Sequence, residues 1–468
     1  MARRQDEKTD SPGWIPQPPQ GGSWKPNGRG GRGTGRGRQF WRKLSCLGLS
    51  VVVVTAVPGA AGGAAHADVR RSDFYRYPSS QELDETAGGD VFATEPMKVT
   101  EPLRKASSRA MRIMYRSDGV HGKPVAVTGF LMIPKGRAPS GGWPVVAWGH
   151  GTSGVGPDCA PSRYPNLYPS ASDEYGDMVA RLLRDGYAVV GTDYPGLGFP
   201  GQLHNYMQLY TLARSVIDSV KAARKVSPQL GRQWFAVGHS EGGQAVLGVD
   251  ELAARRAPDL EFLGTVPLAP SSYQAEFADD MSSPPPPDGP ATAGAVGYLA
   301  YMAVGAKKYA PKSIRYTDLV SPEVMAQMPT AERLCYPQLV YHLATLTQRL
   351  QHLGNPEWAR NHTLYQWFKD IHPARQRSAA PILLLQGGAD TDVTPGATNR
   401  LDGDLCALGD VVEYHTYPKA DHNTLLDAAY PDIAAWLDTR LKGRPATQTC
   451  QPVTGTEPDG SGQSAPRK

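Results

Sequence analysis

The amino-acid sequence predicts an α/β protein: a mostly parallel sheet with helices on both faces and an inserted helical cap. Two observations carry this prediction. Between Pro144 and Leu268, four apolar runs of strand length alternate with helix-like stretches, which is typical of βαβ units. The alternation stops at Ala269 and returns at Pro381. No strand is obvious in residues 271–378, so we interpret this segment as a helical cap or lid inserted into the sheet; a second independent domain is the alternative.

The elements are predicted in order along the chain. Two apolar-rich strands with a turn between them come first and predict an antiparallel edge of the sheet, Ala110–Arg116 and Pro124–Pro134. The strands predicted to follow are Pro144–Trp148, Tyr187–Gly191, Gln233–Val237, Phe262–Leu268, Pro381–Leu385 and Val411–Tyr417. Helices are expected near Glu174–Arg184, Met207–Lys225, from Gln244, Ala397–Leu408 and Leu425–Leu441, and in the cap near Ala291–Val304 and Glu332–Leu350.

Residues 1–67 are expected to form a disordered basic leader and a secretory signal. Residues 11–38 are rich in Pro, Gly and Arg and cannot collapse into a core. A basic stretch, an apolar run from Leu44 to Val57 and the small-residue site Ala65–Ala67 follow, as in a signal that is cut after about Ala67. The predicted location is therefore extracellular. An uncleaved segment that anchors the protein to a membrane is the alternative.

Charge excludes one class of partner. The chain holds 49 basic and 45 acidic residues, a net charge of +4. Ten of the basic and three of the acidic residues lie in the leader, so the remainder carries a net charge of −3. We therefore expect no nucleic-acid partner, and no obligate protein partner is evident. The catalytic domain is predicted to span residues 68–450, and residues 451–468 to form a disordered tail.

Four cysteines follow the leader, Cys159, Cys335, Cys406 and Cys450. An even number after a signal predicts two disulfides, for which three pairings are possible. We favour Cys406 with Cys450, which would pin the C-terminal tail to the last helical layer, and Cys159 with Cys335. Four buried thiols are the alternative. No spacing of Cys or His suggests a metal, and no cofactor is expected.

The stretch Gly238-His239-Ser240-Glu241-Gly242 lies between an apolar strand and a predicted helix. This is the context that a G-x-S-x-G nucleophile elbow requires, in which a strained turn lifts the serine Oγ into a cleft. Gly238 and Gly242 leave room where side chains would collide with the turn. Ser240 is therefore the candidate nucleophile.

A nucleophilic serine needs a base and an orienting acid, which follow it in the order Asp or Glu, then His, in doubly wound hydrolases. Asp390 comes after the strand Pro381–Leu385 and is the candidate acid. Asp392 is its rival and could instead cap the next helix. His422 lies in the loop before the final helix and is the candidate base, whereas His415 lies inside a strand and is expected to be structural.

Main-chain amides are expected to stabilise the oxyanion of such a reaction. One is the amide of Glu241, which follows the nucleophile. The other is expected from the loop at residues 149–154, where we favour Thr152 and keep Gly151 as the alternative. His150 in this loop is expected to brace it by hydrogen bonds.

For Asp193 and for a group of apolar residues in the cap, the sequence allows either a role in the site or a purely structural role. Asp193 follows the strand Tyr187–Gly191 and either lines the site or satisfies loop amides. Tyr298, Tyr301 and Met302 in the cap could contact an acyl chain, although their helical spacing is more typical of ordinary core.

Taken together, these residues resemble the secretory lipase family, which includes yeast lipase A-like enzymes. The resemblance extends from about residue 95 to residue 450. The matching segments are Trp148–Thr152, Cys159–Ser162, Gly191–Gly198, Gly238–Gly243, Gln386–Asp390 and Ala420–His422. It implies an α/β-hydrolase fold of the α/β-hydrolase superfamily, a helical cap between the sixth and seventh main strands, and metal-free hydrolysis of lipid esters. It also supports Ser240, Asp390 and His422 as a triad.

The sequence thus predicts a secreted serine ester hydrolase, a triacylglycerol lipase or carboxylesterase, with a lipid or small ester as substrate. The cap could contact a lipid interface transiently. A serine peptidase or an acyltransferase of the same fold and a non-catalytic hydrolase-fold binding protein are the alternatives. The alternatives are weaker because no propeller repeat accompanies the fold and no triad residue type is missing.

Overall fold

A nine-stranded sheet organises the part of the chain that this computed structural model describes, residues 73–283, 290–346 and 352–450. The predicted leader, the tail after Cys450 and the prolines at 284–287 lie outside the described residues. The strand order is β1-β2-β3-β5-β4-β6-β7-β8-β9. The strands are β1 Val91–Pro96, β2 Ser107–Asp118, β3 Pro124–Pro134, β4 Trp143–Gly149, β5 Ala188–Thr192, β6 Leu230–His239, β7 Glu261–Leu268, β8 Ile382–Gly387 and β9 Val412–Tyr417.

Thirteen α-helices accompany these strands within the described ranges. They are α1 Ser80–Asp84, α2 Glu101–Ala106, α3 Glu174–Arg184, α4 Leu209–Val226, α5 Glu241–Arg256, α6 Gln274–Ser282, α7 Pro290–Tyr309, α8 Pro322–Met325, α9 Met328–Ala331, α10 Tyr336–Ala344, α11 His362–Ile371, α12 Pro395–Ala407 and α13 Leu425–Leu441. No helix in the described segments has the combination of length and apolar character needed to cross a membrane.

The first three strands form the predicted antiparallel edge. β2 pairs antiparallel with β1 and β3, and β3 pairs antiparallel with β5. The sequence did not predict β1, because Val91–Pro96 is only partly buried along its length and lacks a clear alternation of apolar and polar residues.

The remaining strands are parallel, as predicted, from β5 through β4, β6, β7 and β8 to β9. Trp234–Val237 in β6 are fully buried, as expected for a strand that is covered on both faces. Gly149 at the end of β4 pairs with Gly238 at the end of β6. The loops that follow these two strands therefore start side by side at the same edge of the sheet.

No strand separates β7 from β8 in the described residues, and the regular elements of the segment between them are helices, as predicted. Isolated β-bridges join Val320 to Gly354 and Cys335 to Gly154. Because β1 adds a strand to the edge, the segment lies between the seventh and eighth strands of the chain, not the sixth and seventh. Its apolar side chains, among them the fully buried Leu299, Tyr301 and Trp367, form one cluster with Val155, Tyr206 and Met207 from outside the segment.

The helix predicted over Glu332–Leu350 is too long at its start. α10 begins at Tyr336, because Cys335 serves as its N-cap in an extended conformation and forms a β-bridge with Gly154. Residues 347–350 lie outside the described part of the chain.

Both favoured disulfides are present. Cys159 pairs with Cys335 and Cys406 pairs with Cys450. The first joins the loop after β4 to the start of α10, and the second joins α12 to the end of the described chain. The alternative of four buried thiols is therefore wrong.

Candidate active site

Ser240 occupies the sharp turn between β6 and α5. Its backbone has φ 59° and ψ −118°, a conformation that non-glycine residues rarely adopt and that marks a strained turn. A Cβ on Gly238 would lie 2.2 Å from the carbonyl oxygen of Gly242, and a Cβ on Gly242 would lie 2.0 Å from that of Gly149. Side chains at these two positions would collide with backbone, which explains the two glycines of the motif.

His422 and Asp390 meet beside this turn. The Nδ1 atom of His422 lies 2.7 Å from Oδ2 of Asp390. The other carboxylate oxygen of Asp390 accepts main-chain N–H bonds from Asp392 and Val393, both at 2.9 Å. Since Nδ1 donates its proton to the acid, Nε2 of the imidazole is left as an acceptor for the proton of a hydroxyl.

Asp392 does not take the place of Asp390 in this pair. Among the described residues, its carboxylate receives one hydrogen bond, a long one of 3.4 Å from the hydroxyl of Tyr298 in the helical segment. Burial raises the pKa of Asp392, while His422 opposes the rise. The alternative expectation, that Asp392 caps the next helix, is wrong. The side chain of Thr394 caps α12 by accepting the N–H of Ala397.

The loop after β4 passes directly over Ser240, since a Cβ on Gly151 would lie 3.2 Å from the Ser240 Cβ. The N–H of Gly151 is already donated to the hydroxyl of Tyr175 at 3.1 Å. Thr152 is held by its carbonyl, which accepts a bond from Tyr168, and by its hydroxyl, which contacts Tyr206. No described residue accepts the N–H of Thr152. Of the two amides, that of Thr152 is therefore the one available to a ligand.

A chain of hydrogen bonds that the sequence did not suggest connects this loop to His422. The hydroxyl of Tyr175 in α3 accepts the N–H of Gly151 and lies 2.9 Å from Nδ1 of His239. Nε2 of His239 lies 2.9 Å from the carbonyl oxygen of His422, and the two imidazole rings are 4.4 Å apart. Burial, and then the charge of His422, hold the pKa of His239 well below its usual range. Neutral His239 therefore accepts from Tyr175 and donates to His422.

His150 braces the loop, as expected. Its Nδ1 lies 2.7 Å from the carbonyl oxygen of Gly151, and its ring packs against Tyr194 with centroids 4.4 Å apart. Burial lowers the pKa of His150, so the ring is neutral and contributes hydrogen bonding and packing without charge.

Two other polar residues are structural. Asp193 is fully buried and accepts bonds from the main-chain N–H of Ser162 and the hydroxyl of Thr128, so it satisfies a loop amide. His415 in β9 lies 3.2 Å from the carboxylate of Glu413, which is the structural role expected of it.

Two clefts meet at Ser240. The first, called here the Phe277 cleft, has a volume of about 160 Å³ and is also lined by Met207, Met302 and Val393. The second, called the His422 cleft, has a volume of about 350 Å³ and is also lined by Glu174 and Tyr336. Thr152, Tyr298 and Asp392 line both clefts. Of the three cap residues singled out in the sequence, Tyr301 is core and contributes to neither cleft.

Ligand atoms of Asp402, Cys406 and Cys450 lie within 4.8 Å of one another. Both sulfurs form the second disulfide and are not thiolates, so this cluster offers no metal site.

A parallel sheet with a serine elbow after a central strand, and a His–Asp pair at the same edge, define the chain as an α/β hydrolase. A family model described as "Secretory lipase" matches residues 173–449, more than half of the chain. The chain belongs to the secretory lipase family, as the sequence motifs indicate.

Individual relatives agree with this family. A probable inactive lipase of Mycobacterium tuberculosis is 22% identical over 348 residues, which cover 72% of this chain and 75% of that protein. Among solved structures, Candida antarctica lipase A in its closed state matches with a TM-score of 0.65 at 16% identity, over 81% of this chain and 87% of that one.

A ligand-bound form of the rice cell wall degrading esterase LipA from Xanthomonas oryzae matches with a TM-score of 0.62 at 19% identity, over 77% of this chain and all of that one. At such identities the structural likenesses show the fold. Together with the family they support an ester hydrolase.

Proposed function

We propose that the protein is an exported serine ester hydrolase that cleaves carboxylic esters of lipids or small alcohols through an acyl-enzyme. One observation carries this proposal. His422, hydrogen-bonded to Asp390 at 2.7 Å, lines the same cleft as the strained Ser240. A base that is oriented by a buried acid beside a nucleophile in an elbow is the arrangement that serine acyl transfer needs.

In the proposed first half-reaction, the Ser240 oxygen attacks the ester carbonyl while Nε2 of His422 takes the hydroxyl proton. The carbonyl π electrons move to the oxygen, and the imidazolium is stabilised by Asp390. His422 then gives this proton to the leaving alkoxide as the C–O bond breaks, which leaves the acyl group on Ser240. Water repeats the sequence in the second half, releasing the acid and restoring Ser240.

The amides of Glu241 and Thr152 are the proposed donors to the oxyanion. Glu241 is the first residue of α5, so its N–H lies at the positive end of the helix dipole. The free amide of Thr152 belongs to the loop after β4, which is held by Tyr168 and Tyr206. Fixed dipoles aimed at developing charge need no reorganisation during the reaction.

A second candidate is a hydrolase-fold protein without catalytic activity. The observation that favours it is the Mycobacterium tuberculosis relative, which is described as a probable inactive lipase. Against it, this chain holds Ser240, Asp390 and His422 together with a free amide at Thr152.

Hydrolysis of p-nitrophenyl esters by residues 68–468 tests the proposal. We expect Ser240→Ala and His422→Ala to lower kcat by roughly 10⁴-fold or more, since triad members act as a unit. His415→Ala is the matched control for the histidine and should keep its activity. Turnover that survives in Ser240→Ala would exclude the proposed mechanism. A folded wild-type protein without turnover would favour the non-catalytic candidate.

Export is tested separately. The mature protein from the culture medium should begin at about Asp68 when its N-terminus is sequenced. Retention of the first 67 residues on a membrane-bound product would favour the anchored alternative.

A further inference from the structure

Of the two clefts that meet at Ser240, one is lined by His422 and the other is not. This difference indicates which cleft holds the alcohol of an ester and which holds its acyl chain. His422 lines the larger cleft but not the Phe277 cleft. In the proposed reaction, Nε2 of His422 must protonate the oxygen of the leaving alcohol, so that oxygen lies on the His422 side of the acyl carbon. The alcohol therefore occupies the His422 cleft, and the acyl chain occupies the Phe277 cleft.

The acyl assignment agrees with the chemistry of the Phe277 cleft. Its inner side chains include Met207, Phe277, Met302 and Val393, which are apolar. Its charged residues are Glu276, Asp280, Asp392 and Arg400, and of these Glu276 and Arg400 are paired with each other at 2.6 and 2.7 Å. The side chains of Ser272 and Gln274 also line it, and their buried polar atoms have no hydrogen-bond partner among the described residues. The four apolar side chains can hold an acyl chain, and the unpaired polar atoms of Ser272 and Gln274 are available to its ester end.

The His422 cleft offers free hydrogen-bonding groups beside the candidate base. The hydroxyl of Ser172, the carboxylate of Glu174 and the side-chain amide of Asn423 line it, and no described residue forms a hydrogen bond with any of the three. Its tyrosine hydroxyls, in contrast, are engaged: Tyr168 donates to Thr152 and Tyr298 donates to Asp392. The polar groups left for a ligand are thus a donor–acceptor hydroxyl, an amide and carboxylates.

The charge in this cleft restricts the alcohol further. Glu174 and Asp392 are acidic, and no Lys or Arg is found among the described residues that line it. A phosphate on the leaving group would be repelled and would lack a cationic partner. An ammonium group would suit the carboxylates but could not accept from Ser172 or Asn423, whereas a hydroxyl both donates and accepts.

From these observations we propose that the leaving group of the preferred substrate is a small uncharged polyol, such as the glycerol of a monoacylglycerol or a sugar. The inference depends on the proposed function. The cleft has room for such a group, since its volume of about 350 Å³ lies within the range of small-molecule pockets. The stacked rings of Tyr298 and Tyr336, 4.7 Å apart, give the C–H face of a polyol an apolar surface.

The test compares esters with the same butyryl chain and alcohols of the same carbon skeleton. Propyl butyrate and 2,3-dihydroxypropyl butyrate differ only in two hydroxyl groups. We expect kcat/KM to favour the dihydroxypropyl ester by about tenfold, which corresponds to one or two net hydrogen bonds. Butyrylcholine and p-nitrophenyl butyrate complete the series.

Two variants locate the preference. Glu174→Gln and Asn423→Ala should each lower the ratio of dihydroxypropyl to propyl turnover by about threefold. Glu276→Gln is the matched control in the other cleft and should leave the ratio at its wild-type value. Both tested positions are exposed, so folding is not at risk.

The outcomes separate the two proposals. Equal kcat/KM for the dihydroxypropyl and propyl esters, with p-nitrophenyl butyrate still hydrolysed, would overturn the polyol assignment and leave the esterase intact. A faster choline ester would overturn it in favour of a cationic alcohol. Absence of turnover on every ester, p-nitrophenyl butyrate included, would overturn both.

Discussion

The imidazole of His239 donates a hydrogen bond through Nε2 to the main-chain carbonyl of His422, at 2.9 Å. The residue before the candidate nucleophile thus holds the backbone of the candidate base, although 183 positions separate the two in the chain. Through Tyr175 the same imidazole reaches Gly151, beside the amide of Thr152. His239 is therefore a positioning residue that connects three parts of the proposed site.

Replacement of His239 tests this connection. We expect His239→Ala to lower kcat by roughly ten- to a hundredfold, with a smaller change in KM, because the base is misplaced while the Phe277 cleft, which His239 does not line, remains. His239→Gln keeps an N–H donor near the carbonyl of His422 and should recover part of the loss.

His415→Ala, a histidine variant in β9, is the control for the general cost of removing an imidazole. Steady-state kinetics on p-nitrophenyl butyrate give the separate kcat and KM values. An unchanged kcat in His239→Ala would show that the hydrogen-bond chain has no role in positioning.

The volume of the Phe277 cleft predicts the length of the acyl chain. Its volume of about 160 Å³ is close to that of a cavity of roughly 150 Å³ that holds a benzene molecule, which contains six carbons. We expect kcat/KM to be highest for acyl chains of about four to six carbons.

Met302→Ala should move this optimum to longer chains by enlarging the cleft, as measured on p-nitrophenyl esters of increasing length. Val340→Ala makes a comparable change in the His422 cleft and should leave the optimum in place. A wild-type optimum at sixteen carbons would contradict the acyl assignment.

The two disulfides are expected to differ in their effect on activity. Cys159–Cys335 closes a segment of 176 residues and Cys406–Cys450 one of 44, for which chain entropy gives about 5 and about 4 kcal/mol of stabilisation. The first also holds the loop after β4 against α10, next to a main-chain bond from Tyr336 to Ser153.

We expect Cys159→Ser/Cys335→Ser to lower both Tm and kcat/KM, and Cys406→Ser/Cys450→Ser to lower Tm alone. Thermal unfolding and kinetics below the transition measure the two effects. Equal losses of activity in the two double variants would argue against a specific role for the first bridge.

Asp250 in α5 makes stability depend on pH. Its side chain is fully buried, and burial raises its pKa to about 8. In the unfolded chain the carboxyl titrates near its usual value of about 3.9. At pH values between these two pKa values, the folded state binds a proton on Asp250 that the unfolded state does not bind. The contribution of the protonated carboxyl to stability is therefore fully present below about pH 3.9 and is lost as the pH rises toward 8.

Asp250→Asn does not titrate and keeps an oxygen for the N–H of Ala380. The variant should gain Tm relative to the wild type as pH rises from 4 to 8, by several degrees at the upper end. Asp259→Asn, at an exposed position, is the control: it measures how removal of a surface carboxyl changes Tm over the same pH range. A difference in Tm that stays constant across this range would refute the buried, protonated carboxyl.

The sequence predicted those parts of the molecule that depend on local pattern. The strand, turn and helix around Ser240 are contiguous, and Asp390 and His422 each follow a strand whose carboxyl end lies at the same sheet edge. The contact between Tyr175 and His239 could not be predicted, because it joins α3 to the elbow across 64 positions and neither residue belongs to a motif for it. For the same reason the start of α10 was misplaced: the bridge from Cys335 to Gly154 is a tertiary contact.

The close approach of Gly149 and Gly242 limits how this protein can be redesigned. The backbone of Gly149 fills the space that any side chain at Gly242 would need, so we expect substitutions there to disrupt folding and not to alter selectivity. A library aimed at new substrates gains most from side chains that face a cleft without supporting the turn, such as Val340 and Phe277. The contact between Gly149 and Gly242 thus separates backbone positions that must stay glycine from cleft-lining side chains that can be varied.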